Sequence, residues 1–81
     1  MHKPFTTGQA AKVAGLSVRM IHAACDSGQL PCWRVPGSAH RRIERIELLR
    51  WMVGIGIPLD RFGQLTEEER AVRDRHALSA H

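Results

Sequence analysis

The chain has 81 residues, of which 43% are hydrophobic and 25% charged, and its formal net charge is +4. A chain of this length forms one small domain, whose core must be compact or completed by a partner. The N-terminus lacks the apolar segment of a signal peptide, and the longest apolar stretch, around residues 48–57, contains Arg50, Gly54 and Gly56. That stretch is too short to span a bilayer. We therefore expect a cytoplasmic protein without membrane association.

The positive charge is concentrated in the first half of the chain. Residues 1–43 carry six basic residues and one acidic residue, whereas residues 44–81 carry six basic and seven acidic residues. The net charges of the two halves are therefore +5 and −1. A concentrated basic surface favours a polyanionic partner, because binding releases that partner's counterions. The alternative is a solvated basic surface that binds nothing.

Two short helices are predicted in the first 28 residues. Thr7 is the candidate N-cap of the first helix, and Gly15 can adopt the positive φ that ends it. Ser17 is the candidate N-cap of a second helix over residues 18–27, which Gly28 closes. Helices this short, joined through one glycine, are predicted to cross nearly at right angles, as in a helix-turn-helix.

The residue spacing divides the second helix into two faces. Met20, Ile21, Ala24 and Cys25 fall on one apolar face, which we expect to be buried. The residues left for the outward face are Val18, Arg19, His22, Ala23 and Asp26.

Residues 30–43 lose the helical period and are predicted to form a two-stranded hairpin, called here the wing. Pro36-Gly37-Ser38 is a turn signal between the two strands. A hairpin alone is marginally stable in water, so we expect Cys32 and Ile43 to rest on the helices. Trp33 is interpreted as a core residue packed under the hairpin, the alternative being a contact with sugar and base edges of DNA, and Trp51 further along the chain as a core or interface residue.

The helical pattern resumes after Glu44 with a broad apolar stripe. The stripe consists of Ile46, Leu48, Leu49, Met52 and Val53. Pro58 is expected to stop this third helix. Thr66 and the three glutamates after it match a capping box, which predicts a last helix that extends to about Ala77.

In their order along the chain, five short segments resemble the MerR-like, excisionase-type winged helix-turn-helix DNA-binding domains. The segments are residues 7–11, 15–17, 28–31, 34–38 and 40–43. The resemblance implies that the second helix is a recognition helix, that the wing touches phosphate or the minor groove, and that the third helix helps to close the core. It also implies a partner in double-stranded DNA, a homodimer or side-by-side assembly on it, and a role in transcription or in recombination.

The expected fold is mainly α with a small two-stranded β wing. Residues 1–57 are predicted to form the winged helix-turn-helix domain, and residues 58–81 a C-terminal extension whose short helix serves interaction or oligomerisation. The chain departs from the family pattern at Ala23-Ala24, where such domains often carry a basic residue followed by tryptophan. This departure removes a phosphate anchor and a large packing residue.

The candidate DNA-binding residues fall into two groups that must face the same side of the molecule. Arg19 and His22, on the outward face of the second helix, are the candidates for base edges. The hairpin arginines present forked donors that match phosphate oxygens. The hairpin candidates are Arg34, Ser38, His40, Arg41 and Arg42. Ion pairs that lock both Arg41 and Arg42 onto the protein's own carboxylates would overturn this assignment.

Zinc binding is an alternative, because His22, Cys25, Cys32 and His40 occur in one short segment. The segment lacks a Cys-x-x-Cys pair, and isolated cysteines in a cytoplasmic protein are usually small buried hydrophobes. We therefore expect no metal and no other cofactor.

Catalysis has no support in the sequence. It contains no glycine-rich phosphate loop and no nucleophile elbow, so we expect neither an enzyme nor a small-molecule substrate. The rival function is a protein-interaction module on a helix-turn-helix scaffold, with the C-terminal helix docking a partner.

Overall fold

The computed structural model describes residues 3–79, and the side chains of residues 3–77. Residues 1–2 and 80–81, which the predicted domain boundaries include, lie outside the described residues. The elements in chain order are β1 (Phe5–Thr6), α1 (Thr7–Ala14), α2 (Val18–Asp26), β2 (Trp33–Arg34), β3 (Arg41–Ile43), α3 (Arg45–Ile55), a 3-10 turn (Asp60–Phe62) and α4 (Glu67–Ser79). This mainly helical fold with a small antiparallel sheet confirms the predicted class. Among the described residues, no helix has the length and apolar character that crossing a bilayer requires.

The sheet has three strands, whereas a two-stranded wing was predicted. β3 lies in the middle and pairs antiparallel with β1 on one side and β2 on the other. Phe5 faces Ile43, and Trp33 faces Arg42. A strand of two residues has no periodicity to detect, and β1 forms because β3 supplies its partner.

The first helix begins one residue earlier than expected, because Thr6 and not Thr7 is its N-cap. The Thr6 hydroxyl accepts a hydrogen bond from the Gln9 amide at 3.1 Å. The Gln9 side chain in turn accepts one from the Thr6 amide at 3.0 Å. This reciprocal pair is a capping box, whose spacing of three residues fits Thr6 and Gln9.

The turn between α1 and α2 confirms two predictions. Gly15 ends α1 with a positive φ of 71°. Ser17 caps α2, its hydroxyl accepting a hydrogen bond from the Met20 amide at 3.2 Å. The turn is therefore fixed by local signals on both sides.

The core lies where α1, α2, β3 and α3 meet. Small side chains let α1 and α2 approach each other closely, since Ala10, Ala11, Ala14 and Ala24 are all buried. Six larger side chains are fully buried around them: Ile21, Leu30, Ile43, Leu48, Leu49 and Met52. Of the apolar stripe predicted on α3, Leu48, Leu49 and Met52 belong to this core, while Ile46 and Val53 are half-buried. α3 ends at Ile55, where Gly56 takes a positive φ, and not at Pro58.

Two positions predicted to be buried on α2 are not. Met20 is 52% exposed and Cys25 is half-buried, whereas Ile21 and Ala24 are buried as expected. Successive residues in a helix are about 100° apart. A narrow buried face centred on Ile21 and Ala24 therefore leaves Met20 on the flank of the helix.

A buried ion pair attaches α4 to the start of α3. Arg45 Nε lies 2.6 Å from Glu69 Oε2, and the two side chains are 13% and 4% exposed. The Arg45 guanidinium also lies 4.4 Å from the centroid of the Phe62 ring and donates to the carbonyls of Phe62 and Gln64. Glu69 completes the predicted capping box, since its Oε1 accepts from the Thr66 amide at 2.8 Å. Both charges are thus satisfied inside the protein.

These contacts set the protonation of Glu69. Burial alone would raise the pKa of the Glu69 carboxyl, but the hydrogen bonds from Arg45 and Thr66 and the charge of Arg45 outweigh it. The pKa of Glu69 is therefore lower than its ordinary value. A carboxyl whose pKa is lowered by folding stabilises the fold above its unfolded pKa, and that contribution is lost as the pH falls through the folded pKa.

Glu69→Ala should lower the free energy of unfolding by about 3 kcal/mol, because it leaves Arg45 as a largely buried, unpaired charge. Urea unfolding followed by tryptophan fluorescence measures the change. Asp74→Ala is the control, since it breaks the exposed Arg73–Asp74 pair and should cost less than about 1 kcal/mol. Acid should destabilise the wild type more than Glu69→Gln below about pH 4, near the ordinary pKa of glutamate. Equal losses from Glu69→Ala and Asp74→Ala would contradict the structural role of the buried pair.

Alanine substitutions at Gly15 and Gly54 should have opposite effects on stability. Gly15→Ala should lower the free energy of unfolding by about 1 kcal/mol, because an alanine there is strained at positive φ and its Cβ would collide with the Arg61 side chain. Gly54 lies inside α3, and a Cβ there meets no atom within 4 Å. Gly54→Ala should therefore stabilise by about 0.5–1 kcal/mol. Thermal unfolding measures both, and a neutral Gly15→Ala would refute the account of the turn.

Candidate nucleic-acid interface

The outward face of α2 is open along its length. All five residues predicted to face outward are exposed: Val18, Arg19, His22, Ala23 and Asp26. Because Ile21 and Ala24 hold the opposite face in the core, the orientation of this surface is fixed by packing.

The tip of the wing is a tight turn built by Pro36 and Gly37. The Ser38 amide donates to the Val35 carbonyl at 3.0 Å, and Gly37 has a φ of 76°. Proline followed by a glycine of positive φ is the signature of a type II turn. The Ser38 hydroxyl accepts from the His40 amide at 3.1 Å, so Ser38 also takes part in shaping the tip.

The structure brings α2 and the wing together at one surface cleft of about 590 Å³. His22 reaches it from α2, and four of the candidate wing residues reach it from the hairpin. Its lining is Thr6, Thr7, His22, Arg34, Ala39, His40, Arg41 and Arg42. Three arginines and two histidines thus line a single cleft, which is called here the basic cleft. Its lining contains no carboxylate.

Arg41 connects the wing to α2 directly. Its guanidinium lies 2.8 Å from Asp26 Oδ1 and donates to the His22 carbonyl at 3.4 Å. The Arg41 side chain is 18% exposed, whereas that of Asp26 is 65% exposed. Arg41 is thus paired with one of the protein's own carboxylates, although the Asp26 side of the pair is open to solvent. Nothing in the sequence pattern connects Asp26 with the wing, so sequence reasoning missed this partner.

The other candidate arginines, on α2 and the wing, have fewer internal hydrogen bonds and ion pairs than Arg41. Within the described residues, the side chains of Arg19 and Arg34 make no hydrogen bond or ion pair. Arg42 donates to the neighbouring Arg41 carbonyl at 3.0 Å and has no carboxylate partner among the described residues. These three guanidinium groups keep donors for an external anion.

The prediction that Cys25 and Cys32 are isolated, buried small hydrophobes is wrong. They form a disulfide that links the last turn of α2 to the residue before β2, and both are half-buried. The described residues contain no group of three or more side chains arranged to hold a metal ion. Two cysteines on either side of a turn are a signal in the sequence, but only the fold shows that they are adjacent.

The two tryptophans have different environments. Trp33 is exposed on the edge strand β2, contrary to its interpretation as a core residue, and lines a second cleft beside the disulfide. Trp51 is half-buried and packs against the core. At the departure from the family pattern, Ala24 is buried and Ala23 is exposed. No large side chain therefore projects from the outward face of α2 at this point.

Comparison with known families agrees with this geometry. The model of an excisionase-like family, described as a helix-turn-helix domain, matches residues 5–53. The chain belongs to this family, and it is a small helix-turn-helix protein with a DNA-binding domain. The family is not typically enzymatic. No curated protein and no solved structure matches the chain.

Asp26→Asn should strengthen binding to any DNA duplex. The change removes the one acidic side chain on the outward face of α2 and releases Arg41 to contact phosphate. One added phosphate contact makes the slope of log K against log salt more negative by about 0.9. Fluorescence anisotropy at several salt concentrations measures it. The control is Asp74→Asn, which loses an equally exposed carboxylate on α4 and should leave binding unchanged. Weaker binding by Asp26→Asn would instead show that the ion pair is needed to hold the wing in place.

Proposed function

We propose that this protein binds double-stranded DNA in a sequence-specific manner, as a small transcriptional regulator or as an excisionase-like accessory factor in recombination. The observation that carries the proposal is the basic cleft, in which the recognition-helix residue His22 and the wing arginines share one surface. We further propose a MerR-like winged mode of binding and a cytoplasmic location.

The exposed face of α2 supplies the contacts to the bases. The major groove of B-DNA is about 12 Å wide and admits one α-helix. Arg19 lies in the first turn of α2, and its guanidinium, which has no partner among the described residues, can bond both O6 and N7 of a guanine. His22 lies one turn further along the same face and contacts a base edge or a phosphate.

The wing supplies the contacts to the backbone. Arg34 and Arg42 have donors available for phosphate oxygens, and His40 lines the same cleft. Ser38 positions the backbone amides of the tip beside the DNA strand. Arg41 has a double role, since its Nη1 donates to the His22 carbonyl and so ties the wing to α2, while its Nη2 neutralises Asp26, whose charge would otherwise repel the duplex.

The extension over residues 58–81 is proposed to serve assembly. α4 is anchored to α3 by the Arg45–Glu69 pair, on elements that do not line the basic cleft. A second copy can therefore use this side of the molecule while α2 and the wing hold DNA. A homodimer or a side-by-side array is the form that we propose.

The salt dependence of duplex binding tests the proposed function. Four to six phosphate contacts predict a slope of log K against log salt of about −4 to −5. A flat response would favour the rival function, a protein-interaction module that docks a partner through the C-terminal helix. Solution mass measured at the same protein concentration, with and without duplex, tests the assembly.

Variants separate the contacts to the backbone from those to the bases. Arg34→Ala with Arg42→Ala should weaken binding to all sequences about equally and reduce the size of the slope by about 2. Arg19→Ala should also blur the preference at one base pair, at a cost of about 1–3 kcal/mol there. Selection from random-sequence DNA followed by footprinting measures both effects.

The charge-matched control is Arg50→Ala with Arg73→Ala. Both side chains are about half exposed and lie outside the basic cleft, so this pair should preserve affinity. An equal loss from the two double variants would mean that total charge, and not the cleft, determines binding.

A further inference from the structure

The disulfide joins the two elements of the proposed DNA-binding surface. Cys25 lies in the last turn of α2, Cys32 lies directly before β2, and their Cα atoms are 5.7 Å apart. We propose that Cys25 and Cys32 are a reversible site for thiol–disulfide exchange with low-molecular-weight disulfides, and that the bond strengthens DNA binding by tying β2 to α2. This inference rests on the proposed function, whose failure the experiment below distinguishes.

The Cys25–Cys32 disulfide lies where a small thiol can exchange with it. Both cysteines are half-buried and line a surface cleft, so a small thiol can reach the sulfur atoms. The other residues of this cleft are Asp26, Trp33, Arg34 and Arg41. Exposed disulfides are the labile and regulatory ones, and those in cytosolic proteins are usually transient. The proposed cytoplasmic location therefore fits a bond that opens and closes.

The charges around the pair favour its reactive form. Arg34 and Arg41 line the same cleft as the two cysteines. Cations beside a cysteine favour the thiolate, which is the nucleophile in exchange. The one carboxylate of the cleft, Asp26, is already paired with Arg41 at 2.8 Å.

The exchange is balanced with a small disulfide such as oxidised glutathione. The thiolate of one cysteine attacks a glutathione sulfur, which forms a mixed disulfide and expels one glutathione thiolate. The second cysteine then attacks the cysteine sulfur of the mixed disulfide and expels the other glutathione. Two protein thiols are oxidised to one disulfide, one oxidised glutathione is reduced to two thiols, and the two protons pass from the protein thiols to the released glutathione.

The bond acts on DNA binding through β2. This edge strand has two residues and pairs with β3 alone. Arg34 lies on β2, two residues after Cys32, and its side chain has no internal partner among the described residues. With the bond closed, Arg34 is held beside the recognition helix. With the bond open, β2 and the segment over residues 27–32 have fewer restraints. DNA binding must then order them, and this entropy cost lowers the affinity.

The test equilibrates the wild-type protein in glutathione buffers from fully reducing to fully oxidising. Alkylation by a maleimide, read by mass, gives the fraction of closed bonds, and fluorescence anisotropy at fixed salt gives the affinity for a duplex. Affinity should rise about 3- to 10-fold as the bond closes, which is the effect expected from pre-ordering one or two side chains. Circular dichroism of the reduced wild type confirms that both states are folded.

Two variants give the controls. Cys25→Ser with Cys32→Ser should bind with the affinity of the reduced wild type in every buffer. Arg34→Ala should bind more weakly than the wild type. The ratio of its affinities with the bond closed and open should be closer to one, because the bond then no longer positions an arginine on β2.

Three results would overturn the inference. Equal affinities of the closed and open wild type would refute the link to DNA binding, and a pair that stays closed or open in all buffers would refute the exchange site. No duplex binding in either state would refute the proposed function and the regulation with it, while the alkylation data would still establish whether the cysteines exchange.

Discussion

The position of the central strand β3 is the constraint on which the proposed site depends. β3 pairs with β1, which leads directly into α1, and with β2, which follows the loop after α2. Its last residue, Ile43, is fully buried in the core shared with the helices. The wing is therefore not an independent hairpin, and its arginines have a fixed direction relative to α2. The hydrogen bond from Arg41 to the His22 carbonyl and the Cys25–Cys32 bond reinforce the same junction from the side of α2.

The arginines of this chain have two different roles, and burial separates them. Arg45 is largely buried, its charge is paired with Glu69, and its Nε and Nη2 donate to Glu69 and to backbone carbonyls. Arg19 and Arg34 have side chains without an internal partner among the described residues. Arg41 stands between these cases, since it is mostly covered yet borders the basic cleft. The overall charge of +4 therefore says less about function than the side of the molecule on which unpaired donors lie.

Most features that local chemistry determines were predictable from the sequence, although the N-cap of α1 was placed at Thr7 and lies at Thr6. The positive φ of Gly15, the cap at Ser17, the turn at Pro36-Gly37 and the box opened by Thr66 each depend on residues within a few positions. The helix-turn-helix and the approximate place of the wing follow from them. The resemblance to a family then added the expectation that α2 and the wing act on one ligand.

Features that depend on distant contacts were missed. β1 requires β3 as its partner, the ion pair of Arg41 requires Asp26 on another element, and the disulfide requires that a helix end and a strand start lie together. Met20 was misplaced because apolar spacing does not show how narrow the buried face of a nine-residue helix is. Sequence alone also did not distinguish Arg41, which is paired with Asp26, from Arg34, which has no partner among the described residues. The difference depends on contacts between residues that are distant in the chain.

We propose that α2 and the wing form one surface that a DNA duplex contacts as a unit. Titration of the isotope-labelled protein with a duplex, followed by amide signals in NMR spectra, tests it most directly. With a duplex long enough for a single copy, we expect the signals of residues 18–23 and 34–42 to shift together at the same DNA concentration, while those of residues 70–77 are unaffected. Shifts confined to only one of the two elements, or concentrated on α4, would contradict it.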